Sequence, residues 1–133
     1  MATRKKTEAI IEASSTGFGV YSPDLPGITG YGKTVKEAKA DLASALDETI
    51  KAYGKQVPKE LQGTITFSYK YDIASIFDYF GMLDATNLAK RIGINPSLLR
   101  QYKSGITTAS DKQKQKIETG LHQLGRELLS IRL

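Results

Sequence analysis

The chain has 133 residues, a net charge of +5, no cysteine and a single histidine, which excludes disulfides, thiolate metal sites and a cysteine nucleophile. Its length fits one domain or two small ones, and no apolar run approaches the ~20 residues that span a bilayer. The basic N-terminus is not followed by the apolar stretch of a signal peptide. We therefore expect a cytoplasmic protein that uses no metal, no other cofactor and no membrane.

The first half of the chain alternates between polar and apolar residues, with one helical interruption. Ala9 and Ile11 alternate with Glu8 and Glu12, which is typical of a strand with one wet face. A turn cluster, SPDLPG, separates the second and third strands, and glycines weaken the third. The predicted strands are 7–14, 18–21, 28–32 and 64–72.

Residues 34–53 are the clearest helix of this half. Thr34 and Glu37 predict a capping box, in which each side chain bonds the backbone N–H of the other residue. Apolar residues then recur every three or four positions as far as Tyr53. The order strand, strand, strand, helix, strand predicts an antiparallel sheet with one helix packed on it.

The second half has a helical period throughout, so the fold class is predicted to be α+β. The change of composition near Asp72 places a domain boundary there, giving domains 1–72 and 73–133. Residues 1–72 carry ten Lys or Arg and nine Asp or Glu, whereas residues 73–133 carry nine and five. No acidic residue lies between Ala85 and Ser110, which indicates either a polyanion site or an ordinary solvated basic face.

The octapeptide GITGYGKT at 27–34 has the letters of a phosphate-binding loop, with Lys33 in the lysine position. Such a loop follows a buried strand, whereas Pro-Asp-Leu-Pro precedes this one. We interpret the match as accidental. Gly30 and Gly32 would then serve a close approach or a bulge in the strand, and Thr34 would cap the helix.

The stretch from Gly17 to Ile50 resembles the N-terminal domain of HicB antitoxins. The shared features are an aromatic strand ending in Tyr21, the turn Pro-Asp-Leu-Pro-Gly, a Gly-Tyr-Gly strand and a helix that opens Thr-x-x-Glu-Ala. The resemblance covers about residues 7–71 and departs from the family at Ile28, where many members have cysteine. It implies a truncated ribonuclease H-like core in residues 1–72.

The resemblance also implies a function as the antitoxin of a type II toxin-antitoxin system. Such an antitoxin binds and neutralises a HicA-type toxin protein that cleaves messenger RNA, and blocking requires no chemistry from the antitoxin itself. Because an RNA-binding toxin is basic, acidic or aromatic contacts are expected around the opening turn. The candidate toxin-binding residues are Tyr21, Asp24, Leu25 and Tyr31.

The segment NLAKRIGINPSLLRQYKSG, residues 87–105, has the spacing of a helix-turn-helix. Ala89 is small enough for two helices to cross closely, and Gly93 allows the turn. Asn95 is a predicted N-cap, followed by Pro96 at the first helical position. The expected buried contacts are Leu88, Ile92, Ile94, Leu99 and Tyr102. This segment resembles the lambda-repressor-like domain that some HicB antitoxins carry, which implies repression of the protein's own operon.

In that geometry the second helix enters the major groove of double-stranded operator DNA. Arg100 could bond guanine, Gln101 could bond adenine, and Ser97 could contact bases or phosphate. The base-reading candidates are therefore Ser97, Arg100 and Gln101. The phosphate-contact candidates are Lys90, Arg91, Asn95, Lys103 and Ser104, which add affinity without sequence information.

The last helix, from about Ser110, carries an apolar stripe with spacings of three and four. Ile117 and Leu121 suit the core of their own domain. Because a single helix-turn-helix reads few base pairs, we expect a homodimer or a higher homo-oligomer. The candidate dimerisation residues are Leu124, Leu128 and Ile131.

Three other functions remain open from the sequence. The chain could be a stand-alone transcription regulator whose first domain senses a ligand or dimerises. It could be an enzyme, either a nuclease using Asp24 and Glu12 or a nucleotide hydrolase using Lys33. It could also be a general RNA-binding protein. A working ribonuclease H needs several carboxylates at strand ends. This sequence offers Glu8, Glu12 and Asp24 but no convincing fourth carboxylate, so we expect that the chain is not an enzyme.

Overall fold

The computed structural model describes residues 4–133, which fall into two units that divide after Phe80. The first unit contains strands β1 (Arg4–Ala13), β2 (Phe18–Tyr21), β3 (Thr29–Gly32) and β4 (Thr64–Tyr71), helices α1 (Val35–Tyr53) and α2 (Ile73–Tyr79), and a short 3-10 turn (Lys59–Leu61). The second unit contains helices α3 (Ala85–Ile92), α4 (Pro96–Ser104) and α5 (Asp111–Leu129). The predicted α+β class is confirmed.

The strands form one mixed sheet in the order β3-β2-β1-β4. β2 runs antiparallel to both of its neighbours, so that Val20 lies between Ile11 and Gly30. β4 runs parallel to β1, with Tyr69 beside Ala9. The prediction of an antiparallel sheet is therefore wrong for the β1–β4 pair.

The helix between β3 and β4 explains the parallel pair. Strands joined by short turns alternate in direction, so β3 runs the same way as β1. α1 then returns the chain along the sheet, and β4 starts at the end where β1 starts. The alternation of polar and apolar residues is the same in either strand direction, so the sequence pattern carried no information on it.

One face of the sheet packs against α1 and forms the core of the first unit. Ala9 and Ile11 are fully buried, whereas Glu8 and Glu12 are exposed, which confirms the alternation predicted for β1. From α1 the core receives Val35, Ala38 and Leu42. Burying a large aliphatic side chain contributes about 1.5–3 kcal/mol, so this face supplies the main stabilisation of the unit.

Two glycines of β3 allow α1 to lie against the strand backbone. A Cβ at Gly30 would lie 2.5 Å from the carbonyl oxygen of Ala38 and 2.5 Å from the amide nitrogen of Leu42. A Cβ at Gly32 would lie 2.6 Å from the Ala38 nitrogen. These distances are well inside van der Waals contact, so the predicted close approach at both glycines is confirmed.

The short helix α2 packs on the first unit rather than on the second. Its N-cap Asp72 accepts a bond from the Ser75 nitrogen at 2.9 Å and, through its other oxygen, one from the Ala13 nitrogen at 2.6 Å. Asp78 accepts a bond from the Val35 nitrogen at 2.8 Å, which ties α2 to the start of α1. The helical period begins at residue 73, but the compact units divide one short helix later.

The second unit has its own core between α3, α4 and α5. Its buried side chains include Leu88, Ala89, Ile94, Leu99, Tyr102 and Ile117. The predicted interhelix contacts are thus buried, except that Ile92 is only half-buried. A Cβ at Gly120 of α5 would overlap the side chain of Ile92, so α5 lies closely against α3. Across residues 4–133, no helix combines the length and the apolar character needed to cross a membrane.

Candidate functional site

A short turn, residues 93–95, joins α3 to α4, and both of its ends are set by local chemistry. Gly93 adopts a left-handed conformation and ends α3, donating its N–H to the Ala89 carbonyl. The Asn95 side-chain oxygen accepts bonds from the nitrogens of Ser97, at 2.9 Å, and Leu98, at 3.3 Å. The predicted N-cap at Asn95 and the helix start at Pro96 are confirmed.

The outer face of α4 carries the side chains that were predicted to read bases. Ser97 and Arg100 are exposed, whereas Gln101 is half-buried. A terminal guanidinium nitrogen of Arg100 donates a hydrogen bond to the Thr86 hydroxyl of α3 at 2.8 Å. The inner face of α4 holds Leu99 and Tyr102 in the core, so the helix has one buried face and one exposed face.

The residues predicted to contact phosphate are all exposed, and they lie on or beside the same two helices. These residues are Lys90, Arg91, Asn95, Lys103 and Ser104. Asn95 uses its oxygen as the helix cap, which leaves its amide N–H groups as the donors that an anion could use. The Ser104 hydroxyl donates to the Gln101 carbonyl at 3.2 Å. The cluster is therefore largely cationic and solvent-facing. Asp84, the N-cap of α3, lines the same surface depression as Arg100 and Lys103, and a second acidic neighbour lies on α5.

That neighbour is Glu127, which forms an ion pair with Arg91. Both side chains are about half exposed, at 48% and 50%. An exposed pair of this kind contributes only about 0.2–1 kcal/mol, so a stronger anion could displace the carboxylate. The pairing was not evident from the sequence, because Arg91 and Glu127 lie on different helices.

The sheet face that is turned away from α1 carries the other predicted contact residues. Tyr21 and Tyr31 are exposed on it, at 39% and 50%. Asp24 is exposed in the turn between β2 and β3, but Leu25 is buried at 5% and belongs to the core. Leu25 thus holds the turn in place, and the surface candidates reduce to Tyr21, Asp24 and Tyr31.

One residue that the sequence did not single out as a contact, Glu12, joins this surface. Glu12 lies beside Gly19 on the neighbouring strand, and the Tyr21 hydroxyl donates to a Glu12 carboxylate oxygen at 3.4 Å. Desolvation raises the pKa of the Tyr21 hydroxyl above its ordinary value, and the Glu12 charge adds to the rise. The Tyr31 hydroxyl donates to the Thr16 carbonyl at 2.7 Å, which fixes the orientation of its ring.

At the end of the loop with the phosphate-binding letters, N–H groups of Lys33 and of the first turn of α1 already have side-chain partners. The Glu37 nitrogen donates to the Thr34 hydroxyl at 3.1 Å, and the Val35 nitrogen donates to Asp78. The Glu37 carboxylate accepts from the Lys33 nitrogen at 2.9 Å, so the reciprocal half of the predicted capping box falls one residue earlier than Thr34. Carboxylates already compensate the helix N-terminus here, and a phosphate would have to displace them.

An aromatic cluster encloses a lysine on the α1 side of β4. The ammonium nitrogen of Lys39 lies 3.5 Å from the ring centroid of Tyr79, 4.2 Å from that of Tyr69 and 5.0 Å from that of Tyr71. It also donates to the Tyr71 hydroxyl at 2.6 Å. Burial raises the pKa of the Tyr69 hydroxyl, and the neighbouring Tyr71 and Tyr79 add to the rise. This cluster joins α1, β4 and α2 within the first unit.

Comparisons of the chain with models of known protein families, with curated proteins and with solved structures find no match. Any assignment of function therefore rests on the residues and on the geometry described above.

Proposed function

We propose that the chain is a HicB-type antitoxin, which neutralises a HicA-type messenger-RNA-cleaving toxin through its first unit and represses its own operon through a helix-turn-helix in its second. The observation that carries the DNA-binding half is the outer face of α4. Ser97 and Arg100 are exposed there, opposite the buried Leu99, and neither α3 nor α4 contains an acidic residue. The toxin-binding half is supported by the motif resemblance over residues 7–71.

Base reading by Arg100 is energetically favourable despite its bond to Thr86. The exposed bond from the charged guanidinium to Thr86 contributes about 1.5 kcal/mol, the low end of the range for a charged group, whereas a bidentate pair with guanine discriminates by up to about 3 kcal/mol. Arg100 would therefore exchange Thr86 for a base edge when α4 enters the major groove. Until then Thr86 holds the guanidinium at the surface, which reduces the entropy lost on binding.

Residues that contact the phosphate backbone would surround Arg100. Lys90 and Lys103 supply cations, and the Asn95 amide lies at the N-terminus of α4, where the helix dipole favours an anion. Arg91 joins them only after it leaves Glu127, so its contribution is reduced by the lost pair. Such contacts set the salt dependence of binding rather than its sequence preference.

The apolar face at the end of α5 supports a dimer. Leu124, Gly125 and Leu128 follow the spacing of one helix face; Leu124 and Gly125 are half-buried and Leu128 is 57% exposed. Ile131, which was predicted to continue this stripe, lies two residues beyond the end of α5 and is 59% exposed. A Cβ at Gly125 would meet no atom within 4 Å, so no contact among the described residues requires glycine there. A second copy packed closely on this face would cover the leucines and would give Gly125 a role.

The dimer can be tested by sedimentation of Leu128→Asp and Gly125→Ala. A charge at 128 should shift the chain to monomer, and Gly125→Ala should weaken association while making the isolated helix more stable. Thr119→Ala on the same helix is the matched control, because Thr119 is exposed and lies off the stripe. Unchanged association in both α5 variants would exclude this face as the dimer contact.

The antitoxin function can be tested with the product of the short reading frame beside this gene. Messenger-RNA cleavage by that product is measured with and without an equimolar amount of the full chain. We expect the full chain to abolish cleavage. Unchanged cleavage, or a neighbouring product without nuclease activity, would refute the antitoxin function.

The DNA-binding function can be tested on the promoter fragment and on a scrambled fragment of equal length. We expect Arg100→Ala to lower affinity for the promoter by about 5–150-fold, which corresponds to the ~1–3 kcal/mol of a bidentate base contact, and to leave the scrambled fragment nearly unaffected. Lys90→Ala is the matched control, since it should weaken both fragments alike. Equal effects of the two variants on both fragments would remove Arg100 from base reading.

A stand-alone transcription regulator is the second candidate. It shares the α4 surface and the dimer, so the same DNA experiment supports it. It differs in the first unit, which would sense a ligand or dimerise rather than bind a toxin. The cleavage assay therefore separates the two functions.

A further inference from the structure

At one glycine of the first unit, Gly19, no contact or backbone angle among the described residues requires glycine. Gly17, Gly30 and Gly32 each lie so close to other atoms that a Cβ would collide. The remaining glycines of this unit adopt positive φ angles in turns, with Gly19 as the exception. Gly19 sits inside β2 at an ordinary φ, and a Cβ there would meet nothing within 4 Å. Glycine inside a strand weakens it and often marks a place where a ligand or another chain approaches closely.

The register of the sheet defines what surrounds this gap. Gly19 is paired with Glu12 on β1 and with Tyr31 on β3. Tyr21, two residues further along β2, lies on the same sheet face and reaches back to Glu12 with its hydroxyl. Gly19 thus leaves an open space on the sheet surface, which we call the cleft. Glu12, Tyr21 and Tyr31 border it and are exposed, and the hydroxyl end of the Tyr31 ring lies against Gly17.

We propose that this cleft, formed by Glu12, Gly19, Tyr21 and Tyr31, is a receptor for one lysine or arginine side chain of a protein partner. Tyrosine rings bind cations over their faces, and a carboxylate pairs with a cation directly, so these residue types together favour a cation. Because Gly19 has no Cβ, the space above it can hold the aliphatic part of a lysine side chain or the planar guanidinium group of an arginine.

The surrounding charges favour the same occupant. Glu12 forms no ion pair among the described side chains, so its charge is available. Two lysines lie near this part of the face: Lys70 lies across β1 from Tyr21, beside Ile10, and the exposed Lys33 follows Tyr31 by two residues, just beyond β3. The residues that border the cleft are themselves acidic or aromatic, and none of them carries a positive charge. Tyr31 is held in place by its bond to Thr16, so the cleft is formed before a partner arrives.

This inference rests on the proposed function only for the identity of the partner, which would be the toxin. A protein that acts on RNA needs lysine and arginine on its RNA-binding surface. An antitoxin that engages one of those side chains both binds the toxin and occupies part of the surface that RNA would use.

The cleft itself is tested with a small probe and the full chain. Amide signals of Gly19 and Tyr21 are followed by NMR during titration with N-acetyl-arginine amide and, as a neutral match, N-acetyl-citrulline amide. We expect saturable shifts with the arginine probe alone, lost in Glu12→Gln and in Gly19→Val. Glu8→Gln is the matched control, because Glu8 is an exposed carboxylate on the same strand and face. No shift, or equal shifts with both probes, would overturn the proposal.

The role in toxin binding is measured with the same variants. We expect Glu12→Gln and Gly19→Val to weaken binding of the toxin about ten-fold, the combined size of one exposed ion pair and one cation–π contact, and Glu8→Gln to change it less than about two-fold. Gly19→Val should fold, since it meets open space and valine favours strands. Equal binding by all variants would overturn this role while leaving the antitoxin function intact. If the wild-type chain binds no toxin, the antitoxin function fails, and the probe titration still decides whether the cleft binds cations.

Discussion

Replacing Lys39 with methionine tests the aromatic cluster that joins α1, β4 and α2. The change removes the charge and keeps a flexible apolar chain of similar length. A cation–π contact contributes about 0.5–1 kcal/mol at exposed sites and about 2 kcal/mol when desolvated. Lys39 is half-buried, and the three tyrosine rings around it share its single charge, so we assign about 2 kcal/mol to the three cation–π contacts together. The methionine sulfur recovers roughly 0.5 kcal/mol against the rings, which leaves a loss of about 1.5 kcal/mol.

For a domain of this size a loss of 1 kcal/mol lowers Tm by about 4–8 °C, so Lys39→Met should lower the Tm of the first unit by roughly 6–12 °C. Tyrosine fluorescence during thermal unfolding reports on that unit, because Tyr102 is the only tyrosine of the second. Lys36→Met is the matched control, since Lys36 lies on the same helix and is exposed. If the two variants melt together, the rings around Lys39 contribute nothing and the reasoning is refuted.

Three further predictions follow from single contacts. Gly120→Ala should destabilise the second unit by about 1–3 kcal/mol, because its methyl would overlap Ile92; a urea midpoint equal to that of Thr119→Ala would contradict this. Tyr69 has a raised pKa in the folded protein and therefore ionises more easily when unfolded, so its contribution to stability is present below about pH 10 and is lost as the pH rises further. Tyr69→Phe should accordingly reduce the alkaline loss of stability measured by denaturant titration between about pH 9 and pH 11, and parallel losses in both proteins would exclude Tyr69 as its source. Glu127→Gln should raise affinity for a scrambled DNA fragment by up to about five-fold, because Arg91 then reaches phosphate without losing its ion pair. Unchanged affinity would mean that Arg91 does not reach phosphate.

Local chemistry made several features predictable. The caps at Thr34 and Asn95, the left-handed end of α3 at Gly93 and the alternation on β1 each depend on residues a few positions apart. The same is true of the glycines of β3, which the pattern GITGYG placed in a strand ahead of a helix. The sequence left a close approach or a bulge open at these glycines, and the structure shows a close approach to α1.

Other features depended on contacts between distant segments. Leu25 lies in a polar turn, yet it is buried because the turn folds back over the core. α2 was assigned to the second half by its helical period, but the bonds from Asp72 to Ala13 and from Asp78 to Val35 bind it to the first unit. Arg91 looked like a free cation until α5 brought Glu127 beside it.

The sequence by itself determined the strands, most of the helices, the caps at Thr34 and Asn95, and the lack of acidic residues within α3 and α4, since periodicity, capping and charge are properties of neighbouring residues. Only the tertiary structure decided that β4 runs parallel to β1 and that Lys39 lies among three tyrosines. It also decided that Gly19 lies between Glu12 and Tyr31 on neighbouring strands. Strand direction and cross-strand neighbours are set by how α1 returns the chain along the sheet. A hydrophobic pattern reads the same for either outcome, because it records which face of a strand is buried and not which strand lies beside it.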